Sequence, residues 1–162
     1  MKNIKRYKEL FESQTELTPE QMEWLDKFTR GTWTLNPQTG LVDVDGGFYC
    51  NSQNLTDFKG VRFGVVAGSF WCYNNKLTSL KDAPQKVGGS FNCFSNPVSE
   101  SVLKSLYKKM QSGMSWPDAV ASQWKNIRSV EDRILLAPYN NSLSPDEKAY
   151  YQAIGALKRR SI

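Results

Sequence analysis

The residues of this 162-residue chain whose types could do chemistry are three cysteines, two close carboxylate pairs and a basic tail. The cysteines are Cys50, Cys72 and Cys93, spaced by 22 and then 21 residues. A thiolate can hold zinc or attack as a nucleophile, but structural zinc sites carry closely spaced pairs of the C-x-x-C kind. No such pair occurs, and the chain has no histidine. The commonest partner ligand and the commonest general base are therefore both missing. Asp43 and Asp45 flank a turn signal, where carboxylates more often form the polar face of an exposed hairpin, and no third ligand is near in sequence. Glu131 and Asp132 are adjacent, so on a helix they point apart and cannot act as a pair. Gly64, Gly68 and the Gly88-Gly89 pair lack the following helix with Lys-Ser or Lys-Thr that a phosphate loop needs. The expectation is a protein with no metal, no cofactor and no catalytic activity.

What positions the cysteines is a unit of about two dozen residues, written two and a half times from Gly46 to Val98. The copies read GGFYCNSQNLTDFKGVRFGVV, AGSFWCYNNKLTSLKDAPQKV and GGSFNCFSNPV. Phe48, Phe70 and Phe91 fall in register, as do the cysteines and then Leu55, Leu77 and Val98. A fixed period of this size is the mark of stacked repeats. The frame Phe-x-Cys-x-x-Asn-x-Leu fits the leucine-rich repeat with Phe and Cys in two apolar positions. Phe and Cys lie two apart, so on a strand both enter the core. The following Asn turns the chain and its amide satisfies backbone groups. Asn75 and Asn96 hold that position, but the first copy has Gln53, which predicts a looser first turn. The expected fold is α+β: a short leucine-rich-repeat-like β-solenoid with N-terminal helices plus a β-hairpin, and a C-terminal helical cap. The cysteines then form a buried ladder, since free Cys is among the most buried residue types.

The segment Asn75-Lys76-Leu77-Thr78-Ser79-Leu80, with Ala83-Pro84, Val87-Gly88-Gly89, Phe91 and Cys93, resembles repeats in small proteins of tailed bacteriophages. The lead-in Trp33-Thr34-Leu35-Asn36-Pro37 with Val42-Asp43-Val44-Asp45-Gly46, and the exit Asn96-Pro97-Val98-Ser99-Glu100, are similar to that family too. The likeness covers roughly residues 32 to 109. It implies a fold and a phage origin, and no activity. The first copy departs from it, with Asp57-Phe58 and no Ala-Pro. The repeats are also similar to those of secreted bacterial effector ligases, which pair them with a helical cysteine enzyme. Here the helical part has no cysteine, so that activity has no nucleophile.

The flanks read as helices. Residues 3–13 place Ile4, Tyr7, Leu10 and Phe11 on one face. Thr18-Pro19-Glu20-Gln21 is a helix start, with Met22, Leu25 and Phe28 on one face, Trp24 beside it and Gly31 as the stop. A strand at 32–35, an Asn-Pro-x-x-Gly turn and the alternating 41–44 follow, and Asp45-Gly46 is a hairpin signal leading into the first repeat. After Pro97, helix starts stand at Ser99, Ser115, Ser129 and the capping box Ser144-Pro145-Asp146-Glu147. The stripes that follow, Tyr150, Tyr151, Ile154 and Leu157 among them, are expected to be core. These readings divide the chain into 1–31, 32–98 and 99–162, all within one compact domain.

Net charge is +5, and its excess lies in the last third: residues 97–162 carry ten basic and six acidic side chains. Lys158-Arg159-Arg160 closes the chain as a candidate basic patch, although a cationic helix end also suits the helix dipole. The N-terminal MKNIKRYKELFES is basic without a following apolar region, so it does not read as a signal peptide. No run is apolar enough to cross a membrane. The expected location is the cytoplasm, of the host cell if the protein is phage-encoded.

The outward positions of the repeat strands are Tyr49 and Asn51, Trp71 and Tyr73, Asn92 and Phe94. Four of these six are aromatic where polar residues would be the soluble choice, and such patches mark interaction sites. The sequence therefore reads as a protein-binding module, with a bacterial host protein, and a host antiviral defence in particular, as the partner that the phage resemblance implies. The alternative is a nucleic-acid binder using the basic tail and the exposed aromatics. Oligomeric state is not readable.

Overall fold

A computed structural model of the chain describes residues 16–160, so the expected helix over 3–13 lies outside the described residues. Two compact units interleave along the sequence. The first takes the chain up to Cys50 with Phe58–Trp71 and Asp82–Asn92. The second takes Asn51–Asp57, Cys72–Lys81 and the chain from Cys93 on.

The first unit opens with α1, Pro19–Phe28. Its start is the expected capping box: the Gln21 N–H donates to Thr18 Oγ1 at 3.1 Å and the Thr18 N–H to Gln21 Oε1 at 2.9 Å. The inward stripe is Gln21, Trp24, Leu25 and Phe28, spaced i, i+3, i+4, i+7. Met22, expected on that face, is exposed. The helix ends at Phe28 and not at Gly31, because Thr29 turns extended and joins a strand. Gly31, at φ +101°, instead makes the turn that follows.

Eight short strands come next: β1 (Thr29–Arg30), β2 (Trp33–Leu35), β3 (Leu41–Val44), β4 (Gly47–Tyr49), β5 (Arg62–Val66), β6 (Phe70–Trp71), β7 (Lys86–Val87) and β8 (Phe91–Asn92). They form two sheets, ordered β1-β4-β6-β8 and β2-β3-β5-β7. Each begins with one antiparallel pair and continues in parallel. The expected leucine-rich-repeat-like solenoid is thereby overturned. That frame supplies one strand per copy to a single sheet. Here the return segments form strands of their own, with Val65 opposite Lys86 and Val66 opposite Val87, and both sheets are mixed. Among the described residues the fold is α+β, with two small mixed sheets and five α-helices. The expected C-terminal helical cap falls with the solenoid it was to close.

The Asp45-Gly46 hairpin is a second correction. β3 and β4 lie in different sheets, so this dipeptide carries the chain from one sheet to the other. Glycine makes the crossing possible. The Gly68 N–H donates to Gly46 O and the Gly89 N–H to Gly68 O, both at 2.8 Å. A Cβ on Gly68 would come 2.9 Å from the Gly46 carbonyl, and one on Gly46 would come 2.0 Å from Arg30 O. Backbone stacks there directly on backbone, with no room for a side chain.

The repeat register itself is kept: Phe48, Phe70 and Phe91 face one another across β4, β6 and β8. Their rings stack at 5.6 and 5.8 Å, at 19° and 6°. Phe63, from the other sheet, meets Phe48 at 4.9 Å and Phe70 at 5.2 Å. Phe48, Phe58, Phe63 and Phe70 are buried, each contributing roughly 1.5–3 kcal/mol of transfer free energy.

The second unit gathers the turns of the repeats with four helices, α2 (Glu100–Gln111), α3 (Trp116–Gln123), α4 (Val130–Leu136) and α5 (Pro145–Arg160). Leu55, Cys72, Leu77, Leu80, Cys93, Val98, Leu103, Leu106, Trp116, Val120, Ile127 and Leu136 form its core. The Ser115, Ser129 and Ser144 caps are all made, the last with Glu147 as a capping box. Ser99 is different: its hydroxyl and N–H both donate to the buried carboxylate of Asp132, at 2.6 and 3.0 Å. On α5 the inward stripe is Tyr151, Ile154 and Gly155, while Tyr150 and Leu157, expected in the core, are 62% and 64% exposed. Among the described residues no helix is long and apolar enough to cross a membrane.

Candidate functional site

The six outward residues divide between the units. On the first, Tyr49, Trp71 and Asn92 lie side by side across β4, β6 and β8, since Tyr49 pairs with Trp71 and Trp71 with Asn92. They follow Phe48, Phe70 and Phe91 by one residue, and successive strand residues point to opposite faces. The Tyr49 and Trp71 rings pack edge-on, 4.6 Å apart at 72°. The Trp71 indole N–H donates to Ser90 Oγ at 3.3 Å. Tyr49, Trp71 and Asn92 are all half-buried.

On the second unit, Tyr73 and Phe94 stack face to face, 4.4 Å apart at 9°. The ladder runs on beneath them through the backbone, with the Ser52 N–H donating to Tyr73 O at 3.1 Å and the Asn74 N–H to Phe94 O at 2.9 Å. Asn51 and Tyr73 are half-buried, and Phe94 is 40% exposed.

A seventh residue joins the first group, and the repeat pattern could not point to it. Arg30 lies in β1, outside the repeats, and its guanidinium sits over the Tyr49 ring at 5.6 Å from the centroid. The faint signal in sequence is Gly47, which leaves the space that the Tyr49 ring occupies.

The groups that could have done chemistry are bound up in the fold. Asp43 accepts the Val65 N–H at 2.8 Å, and Asp45 accepts the Thr32 N–H. Asp132 holds Ser99. Glu131 pairs with Lys158, whose hydrogen bond holds its carboxyl below the usual range. Lys158 of the basic tail is therefore engaged, while Arg159 and Arg160 are exposed in the last turn of α5. All three cysteines are buried thiols. Burial pushes the Cys50 thiol up to about 12, and burial with the charge of Glu100 pushes Cys93 up to about 11. A thiol so disfavoured as thiolate is a poor nucleophile and a poor ligand. Among the described residues no group of three or more Cys, Asp or Glu is placed to hold a metal ion.

No family model, curated protein or solved structure matches the chain.

Proposed function

We propose that this protein is a non-catalytic binding module that recognises another protein through the outer aromatic residues of its repeats. The observation that carries the reading is the pairing of aromatics along the repeats, Tyr49 with Trp71 on β4 and β6, and Tyr73 with Phe94 just past β6 and β8. Tyr and Trp are favoured interface anchors because they bring large, stiff, amphipathic surfaces. The structural engagement of Asp43, Asp45, Asp132 and the cysteines supports a non-catalytic role. The resemblance of the repeats to proteins of tailed bacteriophages points the proposal towards a host protein in the bacterial cytoplasm, and towards inhibition of an antiviral defence. That step rests on the repeat motif alone.

The test is co-purification from bacterial lysate with the wild-type chain and with Tyr49→Ser/Phe94→Ser. A partner held by the wild type and lost from the folded variant is the expected result. A partner retained by the variant sinks the reading. So does tight binding to a generic oligonucleotide that falls steeply with salt, which is the signature of phosphate contacts.

A further inference from the structure

This inference rests on the protein-binding reading and narrows it to one recognition chemistry. Arg30 is exposed at the end of β1, opposite Gly47 in the antiparallel pair with β4. A Cβ on Gly47 would come 2.4 Å from Cζ of Tyr49 and 2.3 Å from its hydroxyl oxygen, so the phenol ring lies back across Gly47. That places the ring beneath the guanidinium of Arg30. Trp71 packs edge-on against Tyr49 and is itself tethered to Ser90 Oγ. The cation is thus held in place from two sides, by strand pairing and by the ring.

What Arg30 does not have is an acid. Among the described residues the ion pairs are Lys104 with Glu100 and Lys158 with Glu131, and neither involves Arg30. A guanidinium lying on an aromatic ring keeps its in-plane N–H groups free to bind a carboxylate through two parallel hydrogen bonds. Stacking also lowers the entropy lost on binding, because the long side chain is already ordered.

We propose that Arg30 and Tyr49 form a carboxylate anchor for a protein partner. An Asp or Glu of the partner is held by the Arg30 fork. Trp71 is a positioning residue, which keeps the Tyr49 ring under the guanidinium. A nucleic acid fits less well. Phosphate binding draws on several cations, and base stacking needs an open ring face. This group has one cation, and it lies on the Tyr49 face.

The experiment uses the full chain and two labelled peptides, one with Glu residues flanked by Leu and its counterpart with Gln for Glu, read by fluorescence anisotropy. The wild type should prefer the Glu peptide by about tenfold, which converts to roughly 1.4 kcal/mol. Arg30→Gln should erase that preference with an unchanged melting temperature. Arg30→Lys should keep only part of it, because an ammonium has the charge without the fork. Equal affinity for the two peptides, binding to neither, or a preference that survives Arg30→Gln overturns the proposal. Displacement of the peptide by a single-stranded oligonucleotide also overturns it. A partner from lysate that is lost with Tyr49→Ser/Phe94→Ser but held by Arg30→Gln would leave the binding module standing and remove the carboxylate anchor alone.

Discussion

Replacing Asn75 by alanine should destabilise the protein by about 3–4 kcal/mol, far more than an ordinary turn substitution. The Asn75 side chain is buried, and its Oδ1 accepts from the N–H groups of Gln53 and Leu55, at 2.9 and 3.1 Å, both in the preceding copy. Its Nδ2 donates to Cys72 O at 3.0 Å and Tyr73 O at 3.3 Å. After truncation Cys72 O keeps the Asn96 amide at 3.1 Å, and the exposed Gln53 can turn its N–H to water. The Leu55 N–H is buried and left alone. With Cys72 O compensated, the lost bonds to the Gln53 N–H and Tyr73 O at about 1 kcal/mol each and the orphaned Leu55 N–H at about 1–2 kcal/mol make up the estimate. Asn96 accepts from the Leu77 N–H at 3.0 Å, so Asn96→Ala should cost less, about 2 kcal/mol. The Gln53 side chain is exposed and donates to Asn51 O at 3.2 Å within its own turn, so Gln53→Ala should stay within about 0.5 kcal/mol. Urea unfolding of the three variants, with the m-value checked for constancy, reads the order directly. If Asn75→Ala falls within about 1 kcal/mol of Gln53→Ala, the amide ladder does not tie the copies together.

Three further outcomes follow from the packing and the titrating groups. Phe70 meets Phe48, Phe58, Phe63 and Phe91 within 5.8 Å, so Phe70→Ala should cost about 3–5 kcal/mol in thermal unfolding; a loss below about 1 kcal/mol would remove it from the core. Gly46→Ala forces a Cβ to within 2.0 Å of Arg30 O and should lower the melting temperature; an unchanged melting temperature would refute the close stacking at the crossings. Folding raises the Cys50 thiol from 9.0 to about 12, so the unfolded chain releases its proton first as pH rises. The contribution is whole below pH 9 and is lost between pH 9 and about 12, at up to roughly 1.4 kcal/mol per pH unit. Stability measured from pH 8 to 11 should fall less steeply in Cys50→Ala than in the wild type, and identical slopes would refute a buried neutral thiol.

Much of the local structure was legible in the residues. The Thr18–Gln21 and Ser144–Glu147 boxes, and the Ser115 and Ser129 caps, depend on groups three residues apart, so the chain specifies them without help. The register of Phe48, Phe70 and Phe91 came from the period alone, because copies of nearly equal length stack equivalent positions. Gln53 stands where the later copies have the Asn amide that reaches back across the ladder. Two-residue alternation around Phe and Cys named six outward positions, but β4, β6 and β8 end at Tyr49, Trp71 and Asn92, so Asn51, Tyr73 and Phe94 lie past the strands that alternation describes.

The tertiary structure decided what covers what. Arg62–Val66 and Lys86–Val87 lack alternation, and short apolar runs do not announce a strand until another strand lies beside them. Those two segments made a second sheet and removed the solenoid. Asp45-Gly46 carries a hairpin signal, yet its glycine is required because the Arg30 carbonyl presses on it, a contact 16 residues away in the chain. Ser99 passed from its own helix to Asp132, 33 residues on, because a buried carboxylate had to be satisfied. Tyr150 and Leu157 matched an apolar stripe, but α5 was rotated so that Tyr151 could meet Trp124 edge-on at 5.5 Å and Lys158 could reach Glu131. Arg30 joined Tyr49 through a strand pairing that lies outside every repeat. Periodicity states which residues share a face, but only long-range packing states which partner that face receives.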